Sequence, residues 1–305
     1  MSLDSTFDTL NSIYTARLAV KDGLIFDVGM HNGDDTAFYL HQRYKVVAVE
    51  ANPEMVRAAA VRFAEQIASG QLTLLNVAIA ESSGRKTFWI SDEHSDWSSF
   101  DKAIASREGR RCHSVEVETV RFRDILEKFG IPLYLKIDIE GNDHLCLRDL
   151  TAQTRPQYIS VESCCTGEDT PLGLEQSLMN LERLRVLGYR KFKLIDQTTF
   201  RAFHAHDRSW ELWERLGNMA TSYQSRKARL ARVLGLQHFA IPAKLKLERR
   251  HGWQFQVGSS GPWGDGTLGR WLDYPEASKM FVNLRRRHIA NAHNPNLWWD
   301  WHATI

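Results

Sequence analysis

Cysteine is scarce: four residues in a chain of 305, at Cys112, Cys146, Cys164 and Cys165. None forms a Cys-x-x-Cys pair, and adjacent cysteines rarely bridge one another because closure strains the backbone. They read as reduced thiols, the state expected of a cytoplasmic protein. Long apolar runs are also missing. No stretch approaches the ~18 residues that a membrane-spanning helix needs. The first residues carry Asp4 and Asp8 where a signal peptide would carry an apolar segment. There is no excess of charge of one sign: the formal net charge is +2, which gives no global argument for a nucleic acid or a membrane as partner. Internal repeats and low-complexity tracts are absent. What remains, with 43% apolar and 25% charged residues, is a soluble globular composition long enough to bury a large core.

The chain is organised around Leu24-Ile-Phe-Asp-Val-Gly-Met-His-Asn-Gly-Asp-Asp35. A short apolar run ends in Asp27, two glycines follow at Gly29 and Gly33, and a helical pattern then runs through Phe38 and Leu40. This is a buried parallel strand feeding a tight turn and a helix, the place where doubly wound sheets bind nucleotides. A second apolar strand, Lys45 to Val49, ends in Glu50, roughly 20 residues on, where an acid accepts hydrogen bonds from a ribose. A dinucleotide pyrophosphate requires a different glycine spacing and a helix N-terminus free of negative charge. Asp34 and Asp35 stand at that terminus, and they suit a cationic adenosine derivative such as S-adenosylmethionine better than NAD.

Strand and helix patterns alternate along the first two thirds of the chain. Residues 4–20 have helical spacing. Strands are expected at 24–28, 45–50, 72–75, 133–139, 158–161 and 191–195, with helices between them, which predicts a parallel sheet covered on both faces. Two short strands, 86–90 and 114–120, flank a polar loop, 91–111, that either hangs over the strand ends or is merely solvated. From 197 to 250 the chain is basic and aromatic, with Trp210, Trp213, Arg226, Lys227, Arg229 and Arg232, and reads as an inserted helical cap. Interspersed acids favour a solvated face over a nucleic-acid surface. Trp253 to Val257 alternates like a strand and is expected to return beside strand six. The glycine-dense stretch Gly258 to Gly269 reads as a lid with Trp263 as its apolar plug, or as a linker. The clustered Trp298, Trp299 and Trp301 are expected to dock on the body or on a second subunit, which allows a homo-oligomer.

In open sheets of this type ligands sit outside the carboxyl ends of the strands. Those ends carry Asp27, Glu50, Asn76, Asp138 with Glu140, and Glu162. Alternation puts Lys136, Asp138 and Glu140 on one face, and His144 follows the turn at Gly141. A hydroxyl that attacks a methyl carbon must give up its proton, and Asp138, Glu140, His144 and Glu162 all stand as candidates to take it. Asp138 with Glu162 has the chemistry for Mg²⁺ or Ca²⁺, but spacing fixes no third ligand, so a divalent metal is not predicted. Histidine and cysteine never fall at zinc-ligand spacing.

Five ordered blocks carry a resemblance: Ile25-Phe-Asp-Val-Gly-Met-His-Asn-Gly-Asp-Asp-Thr36, Val47-Ala-Val-Glu-Ala-Asn-Pro53, Asn76-Val-Ala78, Leu135-Lys-Ile-Asp-Ile-Glu-Gly141 and Ile159-Ser-Val-Glu162. Together they resemble the FkbM family of S-adenosylmethionine-dependent methyltransferases over residues 22–195. The resemblance implies an α/β, Rossmann-like class I methyltransferase fold. Its doubly wound sheet has seven strands, the seventh antiparallel to the sixth, with residues 190–195 and 253–257 as that pair and a helical insertion between them. It further implies that Asp27, Gly29, Asn32 and Gly33 line the methionine part of the cofactor, that Glu50 holds the ribose beside Ala51 and Asn52, that Asn76 and Ala78 flank the adenine, and that Asp138 lies near the methyl donor. His31 stands where the wider class prefers a third glycine. The expected organisation is an N-terminal helix (1–21), a cofactor-binding core (22–196), a helical cap (197–250), and a final segment (251–305) with the last strand, the glycine-rich loop and a C-terminal helix and tail. The implied reaction is O-methylation of a sugar or small natural product. Two other readings stand beside it: an NAD(P)-dependent oxidoreductase or epimerase, and a nucleic-acid-binding module using the basic insertion.

Overall fold

The computed structural model describes residues 20–163, 170–203, 242–290 and 298–305. The expected N-terminal helix and most of the basic cap, with its Trp210, Trp213, Arg226, Lys227, Arg229 and Arg232, lie outside the described residues.

Short apolar runs buried on both faces form the central strands: β1 (Leu24–Val28), β2 (Lys45–Val49) and β3 (Leu72–Leu75). After β3 the chain leaves the sheet through β4 (Ala78–Ile79), β5 (Gly84–Ser91) and β6 (Cys112–Val120). It returns with β7 (Tyr134–Ile137), β8 (Tyr158–Glu162), β9 (Lys191–Asp196), the two-residue β10 (Arg201–Ala202) and β11 (Trp299–Thr304). The main sheet has the order β10-β9-β11-β8-β7-β1-β2-β3, and β4-β6-β5 form a small second sheet. β3, β2, β1, β7 and β8 are mutually parallel, and β11 is antiparallel to both β8 and β9. Leaving out β10, a short hairpin strand added at the edge, the sheet has the expected seven strands, with the seventh antiparallel to the sixth.

Helices fill the crossovers: α1 (Asp34–His41), α2 (Pro53–Arg62), α3 (Ala64–Ala68), α4 (Lys102–Ala105), α5 (Phe122–Phe129), α6 (Asp143–Asp149) and α7 (Pro171–Val186). α8 (Pro242–His251) and α9 (Tyr274–Ala290) lie between β10 and β11. One face of the sheet is apolar across its centre. Phe26, Val28, Leu135, Ile137, Ile159 and Val161 meet α5, α6, α7 and α9 there. The opposite face is apolar only under α1, where Ile25, Val46 and Ala48 meet Phe38 and Leu40. Farther across, it presents buried polar residues, including Lys136, Ser160, Lys193, Asp300 and His302.

The structure corrects the position of the seventh strand. Residues 253–257 form no strand; Trp253 and Phe255 instead pack as rings against Phe38 of α1, at 6.1 and 4.8 Å. The strand is the chain's final segment, in which Trp299, Trp301 and Ala303 enter the apolar core while Asp300, His302 and Thr304 alternate onto the polar face. The insertion between the last two strands therefore runs on through α9. Of the tail indoles, Trp299 and Trp301 dock inside the body, and Trp301 meets Phe281 at 5.4 Å.

The glycine-rich loop is also not a lid plugged by Trp263. It starts at the carboxyl end of the strands and descends the polar face to their amino ends. There Trp263 stacks flat on Tyr134, with centroids 4.8 Å apart. Gly264 sits at φ +60°, and a Cβ there would lie 2.9 Å from the Tyr158 ring. Among the described residues no helix covers this part of the sheet, and the loop lies over it. Two carboxylates pin it. Asp35 of α1 accepts the backbone N–H groups of Ser260 and Gly261, each at 3.0 Å, and Asp300 accepts the Ser260 hydroxyl at 2.6 Å. Burial pushes Asp35 up to about 7, against the pull of Lys136, and burial pushes Asp300 up to about 6.

Two outcomes are expected. Trp301→Ala removes a fully buried indole and should cost about 3–5 kcal/mol in chemical denaturation, whereas Val257→Ala, at a 55% exposed position, should stay within about 0.5 kcal/mol. Equal effects would refute the reassigned strand. Asp300→Asn isolates one proton. An unfolded aspartate ionises near 3.8 and the folded one near 6, so between those pH values folded wild type holds the extra proton and loses stability as pH rises. The variant lacks this loss. Its melting temperature relative to wild type should therefore climb by a few degrees from pH 4 to pH 7; a constant gap would refute the assignment.

Candidate active site

The cleft is built where β1 and β7 end side by side. After Val28 the chain turns sharply: the N–H groups of Gly29 and Met30 both donate to Val49 O at 3.0 Å. Gly29 holds φ +86°, and a Cβ there would fall 1.7 Å from the Asp138 carbonyl oxygen. Only glycine lets the two turns close on each other.

Beneath this turn lies Lys136, buried and positively charged. Its Nζ donates to Gly29 O at 2.9 Å and stands 3.3 Å from Asp27, 3.6 Å from Asp138 and 3.9 Å from Asp35. Burial lowers the proton affinity of this amine, but Asp27, Asp138 and Asp35 raise it further, so Lys136 stays ionised. Asp27 is fully buried; its other oxygen accepts the Thr36 hydroxyl at 2.6 Å.

Above the turn opens a cavity of about 310 Å³, within the range of small-molecule sites. One end is an apolar slot between Ala51, Val77, Ala78 and Ile79, closed by Phe88 and Phe100. Glu50 stands beside it. Each carboxylate oxygen accepts one backbone N–H, from His31 and from Asn52, both at 2.8 Å. A carboxylate offers about four lone-pair sites, so two remain for a ligand. Burial pushes the Glu50 carboxyl up while these amides pull it down. The middle of the cavity is lined by Gly29, Asn32, Lys136 and Asp138, and the other end by Glu140, Glu162, Gln197, Gln256, Ser259 and Trp298. Asp138 is matched by Lys136, and Glu140 by Arg107 at 3.1 Å. Glu162 faces further carboxylates instead. Burial, then Glu140, Asp143, Asp138 and Asp300, push its carboxyl well above the usual range.

Of the residues expected at the site, Gly29, Asn32, Glu50, Ala51, Ala78, Asp138, Glu140 and Glu162 line this one cavity. The others do not. Asp27 lies below the turn, because alternation along β1 directs it to Lys136 and α1. Gly33 is the N-cap of α1, at φ +80° against the Phe63 ring. Asn52 caps α2 by accepting Glu54 N–H at 2.9 Å. Asn76 ties the strand ends together by donating to Glu50 O and Ala51 O. His144 is excluded from the cleft. α6 begins at Asp143, whose carboxylate turns inward to accept Ile139 N–H, and the next residue is carried to a separate surface pocket beside Lys86 and Leu145. Glu140 does not continue a strand: β7 stops at Ile137, and Glu140 adopts φ +42° in the turn.

Sequence reasoning missed Asp35 and Asp300 as loop anchors, and Gln197, Gln256 and Trp298 as cavity walls. Asp300 had a legible signal, a carboxylate between two indoles in an alternating run. Gln197 had none, because it follows the last residue of a strand pattern, and Gln256 fell in an alternating run that pointed to a strand rather than to a cavity wall. Among the described residues no cluster of three or more metal-ligating side chains occurs, and no helix is long and apolar enough to cross a membrane.

No curated protein matches this sequence. Among solved structures, a methyltransferase FkbM from Methylobacillus flagellatus KT aligns with a TM-score of 0.37 and 12% identity, over 56% of this chain and 39% of that one. The chain thus spans about two fifths of the length of that protein. A precorrin-6y C5,15-methyltransferase from Geobacter metallireducens GS-15 aligns at 0.32 and 14%, covering 59% of this chain and 71% of its own. A SAM-dependent methyltransferase from Aquifex aeolicus aligns at 0.29 and 11%, covering 61% and 82%. Likenesses of this size say nothing of activity. The family model described as the methyltransferase FkbM domain matches residues 27–191, just over half of the chain. That match runs through every parallel strand end on the floor of the cleft, from Asp27 to Glu162, and the chain belongs to the FkbM methyltransferase family.

Proposed function

We propose that the protein transfers a methyl group from S-adenosylmethionine to a hydroxyl of a sugar or small natural product. The observation that carries this reading is one cleft with two chemically different ends: an apolar slot beside a half-engaged carboxylate, and a carboxylate-rich end with amide and indole walls. Ala51 and Ala78 would hold the adenine, Glu50 the ribose hydroxyls through its free lone pairs, and Gly29 and Asn32 the methionine part. Asn52, Asn76, Gly33 and Asp27 act behind the wall, fixing the loops that present these contacts. Asp138 and Lys136 flank the point where the two ends meet.

When bound, the cofactor supplies an electrophilic methyl group bearing positive charge nearby. The carboxylates of this cleft outnumber its cations, which favours such a ligand. Methyl transfer requires in-line placement and a site for the departing hydroxyl proton. Asp138 and Glu140 are each committed to a cation. Among the described residues Glu162 faces carboxylates and no cation; it lines the carboxylate-rich end of the cleft, and we assign its ionised form the role of base. Gln197 and Gln256, with Trp298, are suited to the hydroxyls and apolar face of a carbohydrate. The dinucleotide reading would use the same Glu50, and Asp34, paired with Arg62 at 3.0 Å, and Asp35, engaged by the loop, do not decide against it; what disfavours it is that a pyrophosphate would lie against Asp138 and Glu140.

Calorimetry should show wild-type protein binding S-adenosylhomocysteine, and not NAD, with micromolar affinity, and Glu50→Ala weakening it about 10–100-fold. Binding of NAD alone, or unaltered affinity in the variant, would refute the cofactor site. With an acceptor found by screening hydroxylated compounds, Glu162→Gln should lower turnover at least about 100-fold while S-adenosylhomocysteine affinity holds. Unchanged turnover would remove Glu162 as base.

A further inference from the structure

Residues 92–111, the excursion between β5 and β6, make a set of contacts that the proposed reaction leaves unused. The excursion folds back on its own strand through paired backbone bonds between Trp89 and Ser99, each 2.9 Å. It then reaches both turns of the cleft. At the first, His31 Nε2 and Ser95 Oγ are 2.7 Å apart. At the second, the Ser99 hydroxyl donates to Glu140 O at 3.1 Å, and Arg107 donates to the Glu140 carboxylate at 3.1 Å. Arg107 also lies over the Trp97 ring, 4.3 Å from its centroid. His31 and Glu140 both hold positive φ, +53° and +42°. A non-glycine residue is strained there, and such strain persists only where surrounding contacts over-determine the conformation. Here both strained residues are gripped by the same excursion.

The excursion also shapes the cavity. Phe100 meets Phe88 edge to face at 5.5 Å, and these two rings, with Ser98, complete the slot that Ala51 and Ala78 begin. Without the excursion the slot would lack one wall and stand open to water. We propose that residues 92–111 form the closing wall of the adenosine side of the donor pocket, and that His31 and Glu140 are positioning residues that latch it there through Ser95, Ser99 and Arg107. This rests on the donor-pocket reading above, and it assigns those side chains no part in proton transfer.

The test is hydrogen exchange over 92–111 together with calorimetric binding of S-adenosylhomocysteine, on wild type, Ser95→Ala/Arg107→Ala and Arg107→Lys. Each contact is partly exposed, so single losses are small; the double variant should bind about tenfold more weakly. Its 92–111 amides should exchange faster with and without ligand, while its melting temperature stays near that of wild type. Arg107→Lys keeps the charge opposite Glu140 and should recover part of the affinity, which loss of general stability would not allow. A double variant that binds as tightly as wild type overturns the latch, even if exchange rises. Faster exchange in a protein whose wild type binds no S-adenosylhomocysteine overturns the donor-pocket reading instead, and the wall's assignment with it.

Discussion

The buried ammonium of Lys136 is the interaction on which the cleft depends. Bringing one carboxylate out of water costs several kcal/mol, and here Asp27, Asp35 and Asp138 converge within 4 Å of a single cation. The same amine fixes the Gly29 carbonyl, so charge compensation and the shape of the ligand turn are one constraint. Three carboxylates against one cation leave an excess of negative charge. The protein relieves part of it by raising Asp35 to about 7 and by giving Asp35 two backbone N–H donors. The remaining excess faces the cavity. A ligand carrying positive charge completes the cluster, while a pyrophosphate would meet it with repulsion.

The constraint reaches beyond the turn. Asp35 belongs to α1, but the donors it holds belong to Ser260 and Gly261 of the glycine-rich loop, and Ser260 is in turn fixed by Asp300 of β11. Residues distant in the chain are thereby joined in a single polar layer. That layer occupies a part of the sheet face covered, among the described residues, by a loop and not by an amphipathic helix, which fits its polarity. A loop with backbone groups to satisfy needs carboxylates and hydroxyls beneath it, where a helix would need leucines. Trp263, in ring contact with Tyr39, Tyr44 and Tyr134, closes the layer toward the amino end of the strands with apolar rings.

How much of this was legible in the sequence follows from which contacts are local. The strand ends were readable because a parallel strand buried on both faces shows as an uninterrupted apolar run, and its first polar residue marks the cleft. Asp27 was found by that rule but misassigned, since the rule gives position along the strand and not which side of the sheet the carboxylate faces. Trp253 to Val257 alternates as well as the true last strand does; only pairing decides between them. Trp299, Trp301 and Ala303 can fill the gap between β8 and β9, and Phe255 is already engaged with Phe38. Asp35 was beyond reach as an anchor because its partner is 225 residues away; at Asp300 the alternating run was legible, but its partner, 40 residues away, was not.

The division of the cleft between local and distant parts also separates its chemistry. Its donor end is made by residues between Gly29 and Asp138, all inside the segment that the family model matches. The opposite end adds Gln197, Gln256, Ser259 and Trp298, all outside it. On the proposed reading, donor recognition rests on the strand ends and on Lys136, whereas the acceptor wall rests on Gln197, on residues 256–259 and on Trp298. The loop that follows Ser259 is held by Asp35 and Asp300, and Asp35 is also a neighbour of Lys136. A change in the acceptor wall thus need not disturb the donor pocket, provided Ser260 and Gly261 keep their carboxylates. The wall can vary in sequence while the anchoring pair holds it in register with the part of the cavity that Asp138 and Glu162 line.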